Sequence, residues 1–326
     1  MVRKTSKSTL VLAVLTSICI FALSVSTVAD VDEYSSTASL FKIGTGARPL
    51  GMGNAFVGLA DGSGSLFYNP AGLAFRKKAS LTSFYTEQYG SLSYGSVQFS
   101  RQNMGLSYLQ LSSGTLEERD LYGNTTGEFG FTSRGVIGAY ARKFHSAGLA
   151  LQGKVYNTAN RDSAIGYSLS PSVLYRVEPF QIGAIFKNLV STDIFYDKDY
   201  TEPWQKELTI GIAYLKDNLK VGLDFDALLD KRGIEPGVVR LGAEGVVFSH
   251  VSLRAGVTSK LQNSIGLSVN LKDWRFDYSF RFHRELNNIH RLSFTFQGIE
   301  LEPLINKLSE SIPYFEKLKN CDFKCF

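Results

Sequence analysis

Arg48 and Asp61 are the two charged side chains of Gly44–Ala74, GTGARPLGMGNAFVGLADGSGSLFYNPAGLA, a stretch otherwise made of small, apolar and uncharged polar residues. Charges able to answer them recur downstream at alternate positions: Asp224 and Asp226, Arg240 and Glu244, then Arg275, Asp277 and Arg281. A charge withdrawn from water must pair or stay hydrated. One reading has Arg48 and Asp61 pinning the glycine-rich segment to a charged wall. The other has the wall charges pairing only among themselves and with water. Gly51 and Gly53 permit tight turns and close backbone approach, and Asn69-Pro70 favours a turn in which the amide bonds local backbone. So irregular a backbone needs partners for its polar groups, on a surface or lining a cavity. The expectation is a plug.

Other chemistries find little support. The segment has no G-x-x-x-x-G-K-S/T, and Pro49 argues against a dinucleotide fingerprint. His145, His250, His283 and His290 have no Ser or Asp companion at motif spacing. Cys321 and Cys325 stand near the C-terminus without the two further ligands a metal site needs. No basic patch with interleaved aromatics points to nucleic acid. The chain reads as non-enzymatic, with no cofactor and no metal.

The elements that must position these charges are strands. From Ala79 onward the hydrophobic period is two. Trp274, Phe276, Tyr278, Phe280 and Phe282 alternate with Arg275, Asp277, Ser279, Arg281 and His283, and Leu219, Val221, Leu223 and Phe225 alternate with Lys220, Gly222, Asp224 and Asp226. About fourteen such segments are expected, near 79–88, 91–100, 104–113, 130–143, 147–159, 164–177, 180–189, 205–216, 219–229, 237–248, 251–259, 263–271, 274–284 and 288–297, each long enough to cross an outer membrane. Connections alternate between long, as in 113–129 and 189–204, and tight, as at Asp217-Asn218 and Lys272-Asp273. That sorting belongs to a membrane barrel with short periplasmic turns and longer external loops. An even strand number closes an antiparallel sheet and leaves no edge in lipid. Pro171 interrupts one strand and predicts a bulge or kink, read either as a tolerated irregularity or as a lateral gap from the lumen.

The ends differ from the middle. Arg3, Lys4 and Lys7, the apolar run Leu10–Val25 and the small residues before Ala29 form a signal peptide. Its removal leaves the mature chain near neutral. Beyond the strands, Leu301, Leu304, Ile305, Leu308 and Ile312 are spaced for one face of a short helix. The expected organisation is 1–29 signal peptide, 30–78 N-terminal hatch, 79–297 barrel and 298–326 periplasmic helical tail.

Three blocks, Gly46-Ala47-Arg48-Pro49-Leu50-Gly51-Met52-Gly53, Ala55-Phe56-Val57 with Ala60-Asp61, and Tyr68-Asn69-Pro70-Ala71-Gly72-Leu73-Ala74, make the chain resemble the PorV/PorQ branch of the FadL-like outer-membrane proteins. His290–Phe296 is similar to that family's closing strand, whose aromatic end resembles a signal for the barrel-assembly machinery. The resemblance implies an all-β, closed antiparallel transmembrane barrel of about fourteen strands, surrounded by outer-membrane lipid and holding an N-terminal hatch. It implies a secretion-associated role with protein cargo, as in PorV-like members. The alternative is a FadL-like channel for hydrophobic small molecules such as fatty acids. Processing after Ala29 makes Asp30 the first residue of the mature chain, and intact mass of the protein from outer-membrane fractions checks it.

Overall fold

The computed structural model describes residues 38–88, 90–159, 163–196, 200–230, 233–283 and 287–299. The signal peptide, the predicted tail helix and the Cys321/Cys325 pair lie outside the described residues. Fourteen strands follow one another round a closed antiparallel barrel: β1 Ala79–Gln88, β2 Leu92–Arg101, β3 Met104–Ser112, β4 Thr132–Phe144, β5 Ala147–Ala159, β6 Ala164–Val177, β7 Phe180–Lys187, β8 Lys206–Lys216, β9 Leu219–Asp230, β10 Gly233–Phe248, β11 Val251–Thr258, β12 Asn263–Leu271, β13 Trp274–Phe282 and β14 Ile289–Ile299. β1 pairs with β2 on one side and with β14 on the other, with Thr82 opposite Gln98 and Thr295. Closure is what lets every strand satisfy its backbone groups without water.

The two faces separate by residue type, as the alternation requires. Trp274, Phe276, Leu223, Phe225, Leu151 and Tyr85 are exposed on the outside, while Asp277, Ser279, Asp224, Asp226, Gln152 and Thr86 are buried on the inside. Trp274 stacks against Phe294 at 4.7 Å and lies 4.3 Å from Phe296, an aromatic cluster beside the short turn at Lys272-Asp273. Such clusters suit the membrane interface, where one end of the ring is apolar and the other wet.

Three stretches are more ordered than the sequence predicts. The 113–129 connection holds a separate two-stranded hairpin, Leu116–Arg119 with Thr125–Phe129. Within 189–204, short strands at Val190–Ser191 and Ile194–Tyr196 add to the edge of β6, and Tyr200–Glu202 pairs with the second of them. The expected loop Asp230–Pro236 is instead part of a longer β9–β10 hairpin, in which Pro236 faces Ala227 beside a bulge after Phe225. A bulge is where a strand tolerates a residue that cannot donate.

β6 runs through Pro171 in unbroken register with β5. On its other side the ladder with β7 stops at Ser172–Ile185 and resumes two residues out of register at Leu169–Val190. Asn188, with φ 56°, crosses the interruption: its N–H donates to Ser170 Oγ at 2.9 Å and its side chain accepts from Ser168 Oγ at 2.9 Å.

An outward position near mid-strand should reject charge much more strongly than one at a turn. Leu151→Arg is expected to cost about 2–4 kcal/mol and Phe144→Arg about 0–1 kcal/mol, measured by urea titration of reversible folding into phospholipid vesicles.

Candidate functional site

Residues 38–78 pack against the inward faces of the barrel strands. Short helical turns at Ser39–Phe41, Ala47–Gly51, Ser65–Tyr68 and Pro70–Phe75 punctuate an otherwise irregular path. Most of the segment's apolar side chains, including Leu40, Leu50, Met52, Phe56, Leu59, Leu66 and Leu73, are fully buried or nearly so.

Between Gly51 and Gly58 the segment runs across the strands in backbone-to-backbone contact with them. Gly51 lies against Gly266 of β12, Gly53 against Gly256 of β11, Met52 against Gly242 of β10, Ala55 against Gly222 of β9 and Gly58 against Gly211 of β8. A Cβ on Gly222 would stand 2.7 Å from the Ala55 carbonyl oxygen, and one on Gly58 would stand 2.7 Å from the backbone of Gly211 and Ile212. Wall and segment therefore both need glycine along this arc. Gly53 needs it a second time, because its φ is +63°.

The donors of so buried a backbone are met from the wall. Asp224 accepts from the N–H groups of Phe56 at 2.6 Å, Val57 at 2.7 Å and Gly58 at 3.4 Å. Ala47 N–H donates to Ser293 Oγ at 2.7 Å and Gly53 N–H to Ser264 Oγ at 3.1 Å. Asn69 donates to the carbonyls of Val57 and Val173, both at 3.0 Å, and its own amide oxygen caps the turn by accepting from Ala71 N–H. Pro70 occupies the first position of that turn, where a missing N–H costs nothing.

Arg48 is the ionic centre. Its guanidinium donates in a fork to Glu244, Nε to Oε2 at 2.6 Å and Nη2 to Oε1 at 2.8 Å, and its other edge pairs with Asp61. It also lies 5.1 Å from the centre of the Phe56 ring. Lys220 closes the group from β9, 2.7 Å from Asp61 and 3.5 Å from Glu244. Arg254 then links Glu244, at 2.5 Å, to Asp277, at 3.2 Å, and Arg275 sits 2.8 Å from Asp277. Burial opposes ionisation of Arg48 but is outweighed by Asp61 and Glu244, so the guanidinium is held above its ordinary value. Burial likewise opposes ionisation of Asp61, and Arg48 and Lys220 outweigh it, holding the carboxyl well below the usual carboxylate range.

The structure thus joins Arg48, Asp61, Glu244, Asp277 and Arg275 in one network and gives Asp224 to the segment's backbone. Asp226 and Arg240 pair with each other at 2.5 Å as a wall-to-wall contact. Arg281 is buried on the inward face of β13. Lys220 and Arg254 are the members that the sequence reading of the site missed. Both stand in the inward register of strands whose alternation is plain, Lys220 with Asp224 and Arg254 with Ser252 and Gly256. That register is the signal that identifies them.

A second sector of the lumen is apolar. Leu40, Ile43, Leu50 and Leu66 of the segment meet Phe84, Tyr94, Leu109, Ile137, Tyr156 and Trp204 in one buried cluster. Phe41 lies 5.8 Å from Trp204 and 6.4 Å from Tyr156, ring centre to ring centre. A third sector is lined by hydroxyl and amide side chains and holds a cavity of about 10 Å³ between Thr45, Arg48, Ser63, Thr82, Gln98 and Asp277.

No protein-family model and no curated protein matches the chain. Among solved structures, the chain is similar to the CymD monoaromatic hydrocarbon channel, with TM-score 0.54 and 11% identity over 78% of this chain and 97% of that one. It is also similar to the P. putida toluene transporter TodX, with TM-score 0.51 and 11% identity over 78% and 98%. At such identity the shared property is the fold.

Arg48→Ala removes the cation shared by Glu244 and Asp61, at an expected cost of about 3–5 kcal/mol. The expected readout is new protease cleavage within residues 44–78 while the barrel keeps its heat-modifiable gel mobility. Asp61 titrates lower in the folded protein than in the unfolded chain, so its contribution is complete above the unfolded value and disappears as pH falls through the folded one. The part of the segment's protection that Asp61 contributes should be flat from neutral pH down to about pH 5 and fail only in stronger acid. Asp61→Asn should abolish that acid-dependent step.

Proposed function

We propose that this protein is a non-enzymatic outer-membrane channel for hydrophobic small molecules. The observation that carries the reading is the apolar sector of the lumen. A barrel interior meant only for water has no use for Leu109, Ile137 and Tyr156 gathered on inward faces with Trp204 of the 203–205 connection packed against them. Small-molecule sites are typically apolar and aromatic with a few placed polar groups. The shared fold with CymD and TodX, channels or transporters of monoaromatic hydrocarbons by their descriptions, supports the same reading. The apolar, aromatic outer face supports placement in the outer membrane.

In this reading residues 38–78 are the hatch. Leu40, Phe41 and Ile43 occupy the apolar sector, and an entering hydrocarbon takes over their contacts. The interruption of the ladder opposite Pro171, spanned by Asn188, lacks direct strand pairing beside that sector and is the place for a compound to leave sideways.

A secretion-associated role with protein cargo, favoured by the GARPLGMG and NPAGLA resemblance, draws on a different feature. The 116–129 hairpin presents Leu121 and Tyr122 at its tip, both almost wholly exposed on a turn fixed by Asp120. Co-purification from native membranes, identifying bound lipids and proteins together, separates the two roles.

The two tryptophans provide a direct test, since Trp204 lies in the apolar sector and Trp274 faces outward. In a Trp274→Phe background, bromobenzene should quench the remaining fluorescence saturably. Ile137→Asp, which places a charge in that sector, should weaken binding by about tenfold or more. Quenching that is linear in probe and indifferent to Ile137→Asp would sink the channel reading.

A further inference from the structure

The lumen segment is held very differently on opposite sides. Along β8–β12 it touches the wall backbone to backbone at glycines and is locked by Asp224 and the Arg48 network. Along β14, β1 and β2 the inward positions carry side chains instead, and the contacts are single side-chain hydrogen bonds. Thr45 meets Ser96 at 2.6 Å, and Gln98 donates to the Ser63 carbonyl. The wall residues here also bond one another, Thr82 to Thr295 at 3.1 Å and Ser80 to Ser100 at 3.3 Å.

These groups form a file along the strands. By the alternation of β1, the residues Gln88, Thr86, Phe84, Thr82 and Ser80 all face inward, and all are buried. At the short-turn end the file reaches Arg76, whose guanidinium donates to Ser80 Oγ at 2.8 Å. The cavity of about 10 Å³ lies beside Thr82, on the route. That is the size that holds roughly one water when several polar groups surround it. At the other end Gln88 is 1% exposed and Tyr94 is 0% exposed, yet the Gln88 carbonyl oxygen and the Tyr94 hydroxyl have no hydrogen-bond partner among the described residues. Buried polar groups of this kind are normally satisfied by protein or by ordered water. Phe84 and Tyr94, packed edge to face at 5.8 Å, narrow the file between Thr86 and Ser96.

We propose that this hydroxyl-lined file is a polar passage past the segment, admitting water and small uncharged hydrogen-bonding solutes, with Phe84 and Tyr94 as its constriction. It adjoins the apolar route of the proposed channel function and shares those two rings with it. Hydroxyls and amides replace the hydrogen bonds that a neutral solute gives up on entry. They do not replace the hydration of an ion, and Asp277, the carboxylate at the cavity, is already engaged by Arg254 and Arg275.

The test uses full-length protein in phospholipid vesicles, with swelling followed in iso-osmotic glycerol and, separately, in sucrose. Thr45→Cys with Ser96→Cys, built on Cys321→Ser and Cys325→Ser, places two thiols where the hydroxyls now touch. Glycerol should swell vesicles containing the reduced protein faster than protein-free vesicles, and sucrose should not. Oxidation should return the glycerol rate to that of protein-free vesicles, and reduction should restore it. Tyr94→Ala should raise the glycerol rate. The proposal is overturned if the reduced protein gives no glycerol swelling above protein-free vesicles, or if oxidation, confirmed by gel shift, leaves the rate unchanged. Bromobenzene quenching measured on the same preparations reports the hydrophobic route independently, so failure of one reading does not masquerade as failure of the other.

Discussion

A strand cannot leave its backbone groups unpaired where water does not reach them, and the rest of this molecule follows from that constraint. Closing fourteen strands satisfies every ladder, but it also creates an interior wider than inward side chains alone can fill. Residues 38–78 fill it. Filling with irregular chain transfers the same problem inward, because that backbone too is cut off from water. The wall answers with acceptors at fixed heights: Asp224 under three consecutive N–H groups, and Ser264 and Ser293 under one each. The lumen's polarity is thus largely a response to the segment it holds.

Charge plays a narrower part. Buried ion pairs are weak evidence of net stability, since desolvation consumes most of the attraction. Their value here is positional. Arg48 can satisfy Glu244 with a two-pronged contact in one placement of the Ala47–Gly51 turn, and Lys220 and Arg254 extend that placement to β9 and β11. The glycine arc limits how closely the segment approaches, and the ion network limits where along the arc it rests.

Much of the architecture is legible in the sequence because the barrel puts its two faces in two solvents. Trp274 to Phe282 shows this plainly, one residue for the apolar outer face and the next for the lumen. The match is poorest where strands are short or where neither side is apolar. Pro236 reads as a loop residue although it sits in a hairpin, because a bulge exempts it from donating. The short strands within 189–204 escape notice because they are too brief to show a period. Within the lumen, Arg48, Asp61 and Glu244 stand out as charges among small residues. Gly211, Gly222, Gly242 and Gly256 do not, since a glycine in a strand looks like a weak strand residue until the chain that presses on it is known. Asn188 is equally silent, because its role depends on a register break several residues away in space.

The uneven grip on the segment bears on how the protein is put together. β1 and β14, the strands whose pairing closes the ring, belong to the arc where the segment is held by side chains alone. The interlocked arc runs from β8 round to β12 and stops two strands short of β14. The closing pair β1 and β14 therefore meets the segment through hydroxyl contacts, whereas β8–β12 meet it through glycines. Along the glycine arc the backbone contacts are too tight for a single methyl group. The placement of glycine in this sequence thus follows the chain that lies against it.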